Sequence, residues 1–106
     1  VLVIDPVTNA TDFTSLAVPD GDSKWAGIVY DPVTGRLFGA PSRFNAVLVI
    51  DPATNATDFT TLAVPAHPSA WRKWRGIVRD PVTGKLFGSP FGAGAVLVVG
   101  GCKQQV

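Results

Sequence analysis

The chain has 106 residues, 46% of them hydrophobic and 16% charged, with a formal net charge of +1. That composition suits one globular domain and excludes a disordered tail or a strongly acidic or basic segment. No apolar run approaches the roughly 20 residues that a membrane-spanning helix needs.

Methionine and glutamate are absent, all eight acidic residues are Asp, and Val, Thr, Phe, Gly and Pro are plentiful. Strand and turn formers therefore outweigh helix formers, and an all-β fold is expected. The opening Val1-Leu2-Val3-Ile4 has no basic region before it, so no secretory leader is expected in this stretch. Cys102 is the single cysteine, so no internal disulfide is expected and the cellular compartment is left open.

In chain order, Val1 to Ile4 and Phe13 to Val18 are apolar runs on either side of Asp5-Pro6-Val7-Thr8-Asn9, a turn sequence; together they predict a hairpin. Gly27 to Tyr30 and Arg36 to Gly39 flank Asp31-Pro32-Val33-Thr34-Gly35 and predict a second hairpin, with Gly35 in the left-handed conformation. The pattern then repeats. Val1 to Pro19 matches Val47 to Pro65 except at Val7/Ala53 and Ser15/Thr61. Lys24 to Pro41 matches Lys73 to Pro90 except at Ala26/Arg75, Tyr30/Arg79, Arg36/Lys85 and Ala40/Ser89. The repeats are residues 1–46 and 47–95, and a partial third occupies 96–106, opening on Val96-Leu97-Val98-Val99.

Four short strands in about 46 residues is the size of a propeller blade. Gly76-Ile77-Val78-Arg79-Asp80-Pro81-Val82-Thr83-Gly84-Lys85-Leu86-Phe87, with Val47-Leu48-Val49-Ile50-Asp51-Pro52-Ala53-Thr54-Asn55, resembles the blades of YVTN- and NHL-type β-propeller repeats. The resemblance implies a β-propeller of four-stranded antiparallel blades, two repeats per chain, acting as a binding scaffold more often than as an enzyme. Strands 27–30, 36–39, 47–50 and 58–64 are expected to form the one blade completed within the chain. Ile28, Val29, Leu37, Phe38, Ile77, Val78, Leu86 and Phe87 are expected to be buried between blades.

Because propellers close with four to eight blades, two blades are expected to assemble with copies of themselves into a ring, a trimer being favoured. Closure would join residues 76–89 of one copy to 1–18 of the next, and Val96 to Val99 would compete with Val1 to Ile4 for one position. One of the two should be displaced.

The Asp-Pro turns share one end of the blades, while the variable connectors, 19–25 with 41–46 and 65–74 with 90–95, share the other. Scaffolds place binding groups on such variable loops. Here lie Trp25, Trp71, Trp74, Phe44 and Phe91 with Arg43, Arg72, Lys73, Arg75, His67, Asp20 and Asp22. Trp71, Trp74, Trp25, Arg72 and Arg75 are the candidate ligand-binding residues, suited to a small anionic molecule, a glycan or a protein. The competing reading is that Trp25 and Trp74, one per repeat, are packing aromatics. Residues 1–46 carry five Asp against three basic residues, and 47–95 carry three against five. That split suits complementary contact between repeats better than a nucleic-acid footprint.

A lone His67 offers no nucleophile–base pair, and Asp20-Gly21-Asp22 lacks the other oxygen ligands of a calcium loop. Six Asp, at 5, 12, 31, 51, 58 and 80, read as turn formers, and the sequons at Asn9 and Asn55 read likewise as turns. No catalytic residue, metal site or cofactor is expected. A propeller-type hydrolase or lactonase, or a purely structural repeat of a larger protein, is the alternative to a binding scaffold.

Overall fold

A computed structural model describes residues 1–12, 16–18, 24–64 and 72–100, and among these every regular element is a strand. The strands are β1 (Val3–Asp5), β2 (Ala10–Asp12), β3 (Trp25–Asp31), β4 (Arg36–Pro41), β5 (Leu48–Asp51), β6 (Ala56–Asp58), β7 (Trp74–Arg79), β8 (Leu86–Pro90) and β9 (Leu97–Val99). They form three antiparallel sheets, ordered β1-β2, β3-β4-β5-β6 and β7-β8-β9. The middle sheet crosses the boundary between the repeats and joins strands from the four stretches expected to pair there.

The Asp carboxylate of each turn accepts backbone amides, and the two turns ending in Gly share a fuller set of bonds. Asp31 Oδ1 accepts from the Val33 amide at 3.2 Å, Asp31 Oδ2 accepts from the Thr34 hydroxyl at 2.8 Å, and the Gly35 amide returns to Asp31 O at 2.8 Å. Asp80, Val82, Thr83 and Gly84 repeat these bonds at 3.1, 2.7 and 2.8 Å. A left-handed residue completes each turn: Gly35 (φ 73), Gly84 (φ 77), Asn9 (φ 60) or Asn55 (φ 59). Asn tolerates that region better than other side-chain-bearing residues. The bonds hold the carboxylates in their charged form, so Asp80 stays below the usual carboxylate range chiefly through Thr83 and Val82.

Two expected strand limits move. The Asn turns close tightly enough for pairing to begin at once, so β2 is Ala10–Asp12 and β6 is Ala56–Asp58, rather than 13–18 and 58–64. Residues 13–15 lie outside the described residues. Asp58 ends β6, because its carboxylate takes the Thr60 and Thr61 amides at 2.9 and 3.0 Å and the Thr61 hydroxyl at 2.6 Å. Pairing then resumes: the Val47 amide donates to Leu62 O at 2.8 Å, the Val64 amide to Asn45 O at 2.9 Å, and Ala46 bridges Ala63.

These bonds set the Asp58 carboxyl at about 2, with the Thr61 hydroxyl the largest cause. A carboxylate with a lowered folded pKa adds stability above its unfolded pKa and loses it as pH falls through the folded one. Asp58→Ala is therefore expected to cost about 1 kcal/mol at pH 7, the site being partly solvated, and the difference from wild type to fade between about pH 4 and pH 2. Urea midpoints measured across that range would check both.

The sheets stack face to face. Phe38, Ala40 and Val47 of the middle sheet bury against Trp74, Leu86, Leu97 and Val99 of the third. On the other face of the middle sheet, Leu48 and Ile50 pack with Leu16, Val1 and Val18. Of the eight residues expected in the core, Phe38 and Leu86 are buried and Val29, Leu37, Ile77 and Phe87 are partly so. Ile28 and Val78 are not: they are 52% and 61% exposed. The reason is their place in the stack, since Ile28 faces away from the third sheet and Val78 lies on that sheet's uncovered side.

β3 and β7 run together at the inner edge of the stack. Arg79 on β7 crosses to Asp31 on β3, Nε to Oδ1 at 2.8 Å, with side chains 16% and 6% exposed. This ion pair links the acidic repeat to the basic one, and Arg36 Nε lies 3.9 Å from Asp51 Oδ2 across the same boundary. β9 pairs with β8 in the register that β5 uses on β4, and among the described residues β1 pairs with β2 alone.

Candidate functional site

The site lies at the loop end, opposite the Asp-Pro turns, between the starts of β3 and β7. Backbone bonds shape it. The Ser42 and Phe44 amides donate to Lys24 O, and the Phe91 and Ala93 amides donate to Lys73 O, so the loop after β4 and the loop after β8 fold back in the same manner. The Lys73 amide donates to Ser42 O at 3.0 Å, joining the two.

Trp25 and Trp74 hold equivalent places. The indole N–H of Trp25 donates to Ala46 O and that of Trp74 to Ala95 O, each at 2.8 Å. Each tryptophan therefore ties the first strand of its sheet to the residues leading into the third. Trp74 is buried in the intersheet core. Trp25 is half-buried, with its ring centroid 4.8 Å from Phe44 and 6.3 Å from Phe59. Phe44 and Phe59 meet edge to face at 5.9 Å, an arrangement that suits their ring quadrupoles. The packing role of this once-per-repeat aromatic is thus visible in both copies, and Trp25 alone of the two reaches the site.

Lys73 is 2% exposed, and its Nζ donates to Asn45 Oδ1 at 3.1 Å and Arg43 O at 3.3 Å. Burial pushes the ammonium below the usual lysine range. Its work is to pin the 42–45 loop against β7.

Beside it opens a cleft of about 190 Å³, lined by Trp25, Ala26, Ser42, Arg72, Arg75 and Phe91. Three of the five sequence candidates, Trp25, Arg72 and Arg75, meet here. Trp71 lies outside the described residues, as do His67, Asp20, Asp22 and Cys102. The Arg75 guanidinium carbon sits 5.1 Å from the centroid of the Phe91 ring, a cation–π contact. Sequence reading had placed Phe91 on this end but did not single out Ala26 or Ser42. The signal was in the alignment: Arg75 replaces Ala26 and Phe91 stands where Ser42 stands in the first repeat. A large cationic–aromatic pair on one wall therefore faces two small side chains on the other, and that inequality makes the hollow.

No carboxylate of the described residues lines this cleft. Among the described residues, no three His, Cys, Asp or Glu side chains gather closely enough to hold a metal ion. At the opposite end a second hollow, of about 100 Å³, lies between the sheets and is lined by Phe38, Val49, Leu62, Leu86, Asp31 and Asp58 among others. Both of its carboxylates are committed. Burial works to raise Asp31, but bonds from Thr34, Val33 and Arg79 prevail and keep it below its ordinary value. Ionised, bonded carboxylates serve poorly as general acid–base groups near neutral pH.

Comparisons with family models, curated proteins and solved structures returned no match for this chain.

Proposed function

We propose that the chain is a non-catalytic scaffold of propeller-type blades whose loop-end cleft takes a small anionic ligand with a flat face, such as a carboxylated or sulfated sugar. The observation that carries this reading is the cleft's lining: Arg72 and Arg75, both exposed, with Trp25 and Phe91 and, among the described residues, no carboxylate. Guanidinium forks suit carboxylate and sulfate oxygens, and the rings offer a sugar or aromatic face its stacking partner. Arg75 is held over Phe91, so part of its ordering cost is met before a ligand arrives. Copies of the chain join into a closed ring, a trimer of six blades being the favoured form.

A panel of sulfated, carboxylated and neutral sugars tested by thermal shift decides the ligand class. A ligand at 100 times its Kd stabilises by about 2.7 kcal/mol, or upward of about 10 °C in a domain of this size. The gain is expected with acidic sugars, to fall by at least half in Arg72→Ala and Arg75→Ala, and to be absent with neutral sugars. Equal response to neutral sugars would remove the anionic assignment, and silence across the panel would favour a purely structural repeat.

A further inference from the structure

We propose that copies of this chain join by strand exchange: the β1–β2 hairpin of a second copy replaces β9 on β8, and β9 is an occluding strand that fills that edge in its absence. This mode of joining rests on the ring reading above.

The first support is register. β4 holds β5 through Leu37↔Ile50, Phe38↔Val49 and Gly39↔Leu48, and β8 holds β9 through Leu86↔Val99, Phe87↔Val98 and Gly88↔Leu97. β5 in turn holds β6 through Val49↔Asp58, Ile50↔Thr57 and Asp51↔Ala56, and β1 holds β2 through Val3↔Asp12, Ile4↔Thr11 and Asp5↔Ala10. The hairpin β1–β2 therefore matches the outer half of the four-stranded sheet, and β7–β8 matches its inner half and carries β9. Placed on β8, β1 would set Leu2, Val3 and Ile4 opposite Gly88, Phe87 and Leu86.

Burial is the second support. Leu48 and Ile50 are 6% and 2% exposed and Leu97 and Val99 are 9% and 7%, whereas Leu2 and Ile4, their counterparts in the first repeat, are 62% and 60% exposed. Exchange places Leu2 and Ile4 where Leu97 and Val99 now sit. It also brings a second strand, which covers the open edge that β9 presents.

The third support is the match of the two uncovered sides. On the middle sheet, Val29, Phe38, Val47 and Val49 pack toward the third sheet. Their counterparts on β7 and β8, Val78 and Phe87, face outward, Val78 being 61% exposed, and after exchange Val1 and Val3 of the second copy take the places that Val47 and Val49 hold on the middle sheet. In the second copy the complementary side is Ile28, also half exposed, with Leu37, Leu48 and Ile50, over which Val1, Leu16 and Val18 already lie. The exchanged hairpin thus arrives with its next junction half built: the Val1 nitrogen donates to Leu16 O at 3.0 Å, as the Val47 amide does to Leu62 O at 2.8 Å.

Polar groups at the new junction correspond as well. Within the chain Arg79 reaches Asp31; across the junction Tyr30 of the second copy holds the Arg79 position and Asp80 the Asp31 position. A phenol hydroxyl is a donor of suitable reach, and Tyr30 is 53% exposed in this structure.

The test compares the intact chain with one ending at Ala95, by light scattering across a dilution series, in parallel with a Val3→Cys/Phe87→Cys pair in a Cys102→Ser background. Removing β9 is expected to tighten association about tenfold or more, and mild oxidation of the cysteine pair to give disulfide-linked multimers, because Val3 and Phe87 face each other only across copies. A folded monomer at all concentrations would overturn both the exchange and the ring. Stable oligomers without the Val3–Phe87 crosslink would overturn the exchange alone. Should the shortened chain fail to fold, the crosslink in the full-length chain still decides between these outcomes, and no ligand enters either measurement.

Discussion

Gly27→Ala is expected to cost about 3 to 4 kcal/mol, enough to remove much of the stability of a domain this small. Two effects add there. Gly27 has φ +79, where a side-chain-bearing residue is strained by about 1 to 2 kcal/mol. A Cβ on Gly27 would also lie 2.8 Å from the Gly76 Cα, backbone against backbone, and overpacking of that sort typically costs a further 1 to 3 kcal/mol. The counterpart separates the two effects. Gly76 has φ +82 but no atom within 4 Å of its own would-be Cβ, so Gly76→Ala is expected to cost only the backbone part, about 1 to 2 kcal/mol. Urea unfolding of both variants measures the difference. Equal losses would mean that β3 and β7 do not approach as closely as described.

Arg79→Met should be nearly as damaging, at about 3 kcal/mol, the lower end for breaking a buried ion pair by removing one partner. Asp31, 6% exposed within the pair, loses its guanidinium partner, although the Thr34 hydroxyl and Val33 amide remain to support it. The sign of the pH response distinguishes this cause from lost packing. In wild type the folded Asp31 carboxyl lies below its ordinary value, so its contribution is complete above about pH 4 and declines as pH falls. In Arg79→Met, burial, the largest influence on Asp31, has less opposing it and the carboxyl rises. The gap between variant and wild type should therefore narrow on acidification, because protonation relieves the buried charge in the variant and weakens the pair in wild type. A gap that stays constant from pH 7 to pH 3 would assign the loss to packing instead. Asp31→Asn/Arg79→Met, which removes both charges, should recover part of the loss.

Much of the local structure was readable from residues alone, and the reason is that it is local. Asp-Pro-x-Thr-Gly and Asp-Pro-x-Thr-Asn carry their own hydrogen bonds and their own left-handed residue, so four hairpin turns and the strands flanking them follow from a few neighbouring side chains. The sheet formed across the repeat boundary followed from short connections between consecutive strands. The strand limits at 10–12 and 56–58 were misplaced because apolar content suggested 13–18 and 58–64, whereas the Asn turn and the Asp58 carboxylate decide where pairing starts and stops.

Only the tertiary structure decided which of two near-identical faces is covered. Val29 and Val78 occupy the same place in their repeats, yet one packs against the third sheet and the other is 61% exposed, because burial belongs to the neighbour and not to the residue. The same holds for the site. Trp25 and Trp74 hold equivalent places in the two repeats, and their hydrogen bonds correspond, but Trp74 is enclosed between sheets while Trp25 meets the cleft. Arg72, Arg75 and Phe91 could be placed at one end of the sheets from the chain alone. That they face Ala26 and Ser42 across a hollow depended on how the third sheet stacks on the middle one, with Gly27 against Gly76 setting the distance between their inner strands.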